Sequence, residues 1–82
     1  MFRSNIKANE NLEARQVALL VQTASNFSGN TFIEMGDKTA NAKSIMGVLA
    51  LGISKGDIIS ISADENEALQ ALIHLKNFFE EA

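Results

Sequence analysis

Apolar residues recur at two different periods along this chain, and the order in which those periods alternate confines it to a few folds. From Phe2 to Lys7 apolar and polar residues alternate, the period of two of a half-buried strand. Asn9-Glu10-Asn11 is a polar break. From Ala14 to Ser25 the apolar positions are Ala14, Val17, Ala18, Val21 and Ala24. Steps of three and four mark an amphipathic helix, and Leu20 widens its buried stripe. Asn26, Ser28, Gly29 and Asn30 end it. Thr31 to Met35 is β-prone, and Lys38 to Asn41 follows across Gly36-Asp37, so the two runs predict a hairpin. Ser44 then opens a short helix with Ile45, Met46, Val48, Leu49 and Leu51 available for burial, and Gly52 and Gly56 bracket its exit. Asp57 to Ser62 reads as another strand. Asp64-Glu65 starts a last helix whose stripe is Ala68, Ala71, Leu72, Leu75, Phe78 and Phe79. Glu65 and Glu67 suit that helix's positive N-terminus. Phe32, Ile33, Leu72, Leu75 and the Val17/Val21 face are assigned to packing.

The order is therefore β-α-β-β-α-β-α. The strands alternate rather than forming continuous apolar blocks, so one sheet face is expected to be wet. An α+β fold fits: a four-stranded antiparallel sheet with three helices on one face. Propensity alone leaves the strand order open. The 82 residues are expected to make one domain, 1–82. Proline is absent, so the turns rely on Gly, Asn, Asp and Ser. There is no cysteine, hence no disulfide and no thiolate metal site. No segment has the apolar length of a membrane span, and the N-terminus lacks a signal-peptide apolar core. The net charge of −3 is interspersed, without the basic stripe that nucleic acid or an anionic membrane would require. A cytoplasmic globular domain, without cofactor or metal, is the expectation. His74 is the single histidine. It falls on the polar face of the last helix, with no second ligand at i+4, and reads as solvated surface.

Three runs carry a more specific signal: Leu19 to Ser25, Asn41 to Leu51, and Gly52-Ile53-Ser54-Lys55-Gly56-Asp57. They resemble the HPr family, the small bacterial phosphocarriers of the sugar phosphotransferase system. The resemblance covers nearly the whole chain and implies an HPr-like open-faced β-sandwich. It breaks at one place. The family's active loop looks like Gly-Leu-His-Ala-Arg-Pro-Ala, whereas here Asn11, Leu12, Glu13, Ala14, Arg15, Gln16 and Val17 stand in that stretch. The resemblance thus implies a degenerate phosphohistidine site at Glu13, Arg15 and Gln16. A phosphocarrier uses an imidazole because its neutral nitrogen is a competent nucleophile near neutral pH. A carboxylate is a poorer nucleophile and would form an acyl phosphate. Glu13 can be read as a helix cap, as a fixed negative charge imitating phosphohistidine, or as drift. Arg15 is expected to pair with Glu13 or another carboxylate. Gln16 restores an N–H where the family has a proline in the first helical turn.

Ser44, ahead of an apolar helix, is an N-cap by residue type. The match from Asn41 to Leu51 adds a second expectation, since certain HPr proteins are phosphorylated on this serine by an HPr kinase/phosphorylase. Lys43, Ile45, Met46 and Leu49 correspond to the family's docking segment. A histidine-less, Crh-like branch of the family keeps the serine and serves a sugar-responsive transcription regulator. The resemblance implies a regulatory adaptor of carbon catabolite control, without catalytic activity, working through such a kinase, such a regulator and other phosphotransferase-system proteins. The alternatives are a phosphocarrier with a variant active site and a purely structural or interaction domain.

Overall fold

The computed structural model describes residues 2–64 and 66–80. Their order is β1 (Phe2–Lys7), α1 (Ala14–Ser25), β2 (Thr31–Met35), β3 (Lys38–Asn41), α2 (Ile45–Leu51), β4 (Ile58–Ala63) and α3 (Asn66–Glu80). The four strands form one antiparallel sheet in the order β1-β4-β2-β3. The β2–β3 hairpin turns through Gly36-Asp37, with Met35 opposite Lys38. Gly36 has φ +63° there, a conformation that L side chains rarely adopt. No helix among the described residues is long and apolar enough to cross a membrane.

Register decides which side chains face the helices. Ile6 and Ile59 are opposite each other in one row of the ladder, and Ile61, Ile33 and Ala40 lie in the next. Against them pack Val17, Leu20, Val21 and Ala24 of α1, Val48 and Leu51 of α2, and Ala68, Leu72, Leu75 and Phe79 of α3. The opposite face carries Arg3, Asn5, Glu34, Thr39, Ser60 and Ser62 and no helix. There the Arg3 guanidinium reaches diagonally across β4 to the Glu34 carboxylate at 3.1 Å.

Four expectations change. Ala14 and Ala18 are exposed; Ala18 is turned about 100° from Val17 around the helix, and Leu20 occupies the core in its place. Phe32 is half-buried on the helix-free face, because strand alternation sends it opposite to Ile33. β4 begins at Ile58 rather than Asp57, because Asp57 is used in the turn before it: its Oδ2 accepts from the Ser54 N–H at 2.8 Å. α3 begins at Asn66, because Asp64 is engaged elsewhere. Its carboxylate accepts from the backbone N–H and the side-chain Nδ2 of Asn30, at 2.9 and 2.8 Å. Glu65 lies outside the described residues.

Candidate functional site

Ser44 sits at the junction of β3 and α2 with extended backbone, φ −110° and ψ 110°. Its Oγ accepts from the Gly47 N–H at 3.0 Å, which satisfies one of the donors a helix start leaves free. The approach is held from the other side as well. The Ser44 N–H donates to the Asn41 carbonyl at 2.9 Å, and Asn41 Oδ1 accepts from the Lys43 N–H at 2.8 Å. That second contact is an Asx turn, a local structure that Asn supplies through its own side chain. Ala42 between them is fully buried, and its N–H donates to the Thr31 carbonyl at 2.8 Å. The cap is therefore pinned to the sheet.

Gly47 belongs to this geometry too. A Cβ at that position would lie 3.1 Å from Ser44 Oγ and 3.3 Å from Ser44 Cβ. Sequence reading passes over Gly47, since an isolated glycine in a helix signals only lowered propensity. The signal that could have found it is its position three residues after a capping serine.

A helix of seven residues cannot bury all its apolar side chains. Val48 and Leu51 go into the core. Ile45, Met46 and Leu49 remain 46%, 78% and 38% exposed. Together with exposed Lys43 they cover the outer side of the segment that Ser44 opens. Three surface hollows lie away from it, two against the open sheet face and one beside Lys7 and Lys55. Ser44 lines none of these three.

Glu13 is the N-cap of α1, with φ −96° and ψ 176°. Its cap is made mainly by Gln16, whose Oε1 accepts from the Glu13 N–H at 3.3 Å. The reciprocal half is looser: the Glu13 carboxylate lies over the Gln16 N–H but makes no cap hydrogen bond. Arg15 pairs with no carboxylate among the described residues. Residues two apart at a helix start do not face each other, which explains why the expected Glu13–Arg15 pair is missing. The loop ahead of Glu13 is clamped to the exit of α2. The Leu12 N–H donates to the Ile53 carbonyl at 3.0 Å, and Asn11 Oδ1 accepts from the Lys55 N–H at 2.8 Å. The Glu13 loop therefore meets one end of α2 and Ser44 the other, a separation along the helix of about 10 Å. The two sequence-singled sites are neighbours across one short helix but do not form one cluster.

His74 is exposed, as expected, although its ring is not simply solvated. Its Nδ1 lies 2.8 Å from the Gln70 carbonyl, and the ring leans on Phe27 with centroids 4.9 Å apart. No group of three or more metal-ligating side chains forms among the described residues.

Residues 2–81 match the sequence profile of the HPr component of the phosphotransferase system, described as its phosphorylation site. The chain belongs to the HPr family. Among curated HPr-family relatives, the HPr-like protein Crh of Halalkalibacterium halodurans is 45% identical over 71 residues, covering 83% of this chain and 84% of the relative. The HPr-like protein Crh of Bacillus subtilis is 41% identical over 70 residues, covering 82% of each. Among solved structures, the phosphocarrier protein HPr of Bacillus anthracis superposes with a TM-score of 0.90 at 37% identity, covering 96% of both chains. The HPr sandwich is thus shared almost end to end, including the order of strands that propensity left open.

Proposed function

We propose that this chain is a regulatory adaptor of the bacterial sugar phosphotransferase system, working in the cytoplasm as one HPr-like domain over residues 1–82. Its switch is phosphorylation of Ser44 by an HPr kinase/phosphorylase-type kinase. The phosphorylated face around Lys43, Ile45, Met46 and Leu49 then binds a transcription regulator of carbon catabolite control. The adaptor has no catalytic activity of its own and binds neither nucleic acid nor membrane directly. Two of its relatives carry the name HPr-like protein Crh, which fits a regulatory rather than a carrier role.

One observation carries the reading. Ser44 offers its hydroxyl at a helix start, and the apolar side chains that follow it stay on the surface. An exposed apolar group beside a charge switch is what a partner surface needs. A phosphate on Oγ adds about −1.5 to −2 charges. At this place the charge meets backbone N–H groups rather than a helix interior, so the fold can accept it without rearranging. Exposed Lys43 supplies a flanking positive charge.

Glu13 weighs against the carrier alternative. It stands where the family resemblance sets the phosphate-accepting histidine, and the remaining histidine, His74, leans on Phe27 from α3. Incubation with phosphoenolpyruvate and the general phosphotransferase enzyme should leave the protein unmodified. An acid-labile phosphate on the product would restore the carrier reading.

The adaptor reading is tested by reaction with the kinase and ATP, peptide mapping, and titration of both forms against the regulator. Modification at Ser44 and tighter binding of the phosphorylated form are expected. An unmodified Ser44, or equal binding of both forms, leaves the serine as a cap and the chain as a structural domain.

A further inference from the structure

Met46 is the most exposed large apolar residue of the described chain, at 78%, and it lies two positions after Ser44. Its neighbours on the surface are Ile45 and Leu49, also exposed. Met35, by contrast, is half-buried and packs against the core. Thioether oxidation turns a flexible apolar side chain into a polar one, and it is reversed enzymatically. We propose that Met46 is an oxidation site, and that its sulfoxide switches off the apolar face next to Ser44. The proposal rests on the adaptor reading for its biological consequence, but the chemistry stands on exposure alone.

The co-reactant is a hydroperoxide. A sulfur lone pair attacks the outer peroxide oxygen, the O–O bond breaks and an S–O bond forms. Sulfur is oxidised by two electrons and hydrogen peroxide is reduced to water. Met46 stands outside the buried core, and Val48 and Leu51 are the residues through which α2 is buried. Oxidation thus changes the surface without unfolding the domain. A kinase or regulator that docks on Ile45, Met46 and Leu49 meets a hydrated sulfoxide in place of a thioether, whether or not Ser44 carries phosphate.

The test treats the full chain and a Met46→Leu variant with dilute hydrogen peroxide. Peptide mapping should find one added oxygen on Met46 well before Met35. Retention on a phenyl hydrophobic-interaction column should fall further for the oxidised protein than for equally treated Met46→Leu, which keeps Met1 and Met35, and return after methionine sulfoxide reductase. Circular dichroism should be unchanged throughout. The rate of Ser44 phosphorylation by the kinase should fall severalfold in the oxidised protein and not in the treated variant. Equal oxidation of Met35 and Met46, or the same loss in both proteins, overturns the proposal. If the untreated protein is not phosphorylated at all, the adaptor reading fails, while mapping and retention still decide whether Met46 switches the surface.

Discussion

Gly47 and Ser44 form one unit at the residue scale. Alanine is the better helix former by about 1 kcal/mol, so Gly47→Ala would stabilise an isolated helix. Here the new Cβ would stand 3.1 Å from Ser44 Oγ, so the hydroxyl has to shift by a few tenths of an ångström while it caps the Gly47 N–H. Ser44→Ala should cost about 1 kcal/mol through the lost cap. Gly47→Ala should be neutral to destabilising in the wild type and more favourable once Ser44 is alanine. A double-mutant cycle by urea denaturation measures that coupling; strictly additive effects would show that the glycine has no part in the cap. The serine itself was legible from sequence, because N-capping follows residue type and place. The glycine was not, because its role depends on a contact with a side chain three residues earlier that only the built turn brings close. Likewise Glu13 was legible as a helix start, whereas the cap bond comes from Gln16, one turn in.

Elements, by contrast, were largely legible, since hydrophobic period marks them directly. The spans of β1, α1, β2 and β3 agree with the alternation and stripes of the sequence. The misread borders are those where a polar side chain is taken by a distant or turn partner. Asp64 reads as the start of α3 by residue type, yet its carboxylate is bound by Asn30, 34 positions earlier in the chain. The same two residues are joined again by the Asp64 N–H donating to the Asn30 carbonyl at 3.2 Å. This clasp ties the α1–β2 loop to the β4–α3 junction. The backbone N–H of Asn30, and next its side-chain amide, hold the Asp64 carboxyl below its ordinary value of 3.8. A carboxyl with a depressed folded pKa contributes stability that is fully present above the unfolded value. That contribution is lost as pH falls through the folded value. The wild type should therefore lose melting temperature more steeply than Asp64→Asn, whose side chain does not titrate, as pH falls below about 4. Parallel melting curves across that range would show that the clasp adds nothing.

At the scale of the whole molecule, topology is what periodicity could not supply. Seven elements in this order are compatible with more than one strand arrangement, and the pairing of β4 between β1 and β2 is a long-range fact. It also decides the fate of Phe32 and Leu72, which look alike as core candidates in the sequence. α3 lies across β1, β4 and β2 and against α1, so its apolar stripe closes the core layer between the sheet and the helices. Leu72 is 5% exposed within that layer. Truncation to alanine there removes buried methyl groups and leaves a cavity the sheet cannot fill, so Leu72→Ala should cost about 2–5 kcal/mol. Small domains hold only about 5–15 kcal/mol in total, so a large part of the population should unfold near physiological temperature. Phe32 has the larger side chain but stands half-buried on the face without helices, beside Arg3, Thr39 and Ser62. Its loss exposes surface that is already partly wet and opens no enclosed cavity. Phe32→Ala should thus cost less than Leu72→Ala, although transfer area alone would rank them the other way. Urea denaturation of both variants at one pH checks the order. A Phe32→Ala cost equal to or above that of Leu72→Ala would mean that the open face is a second core and that the helices are not the layer that stabilises the sheet.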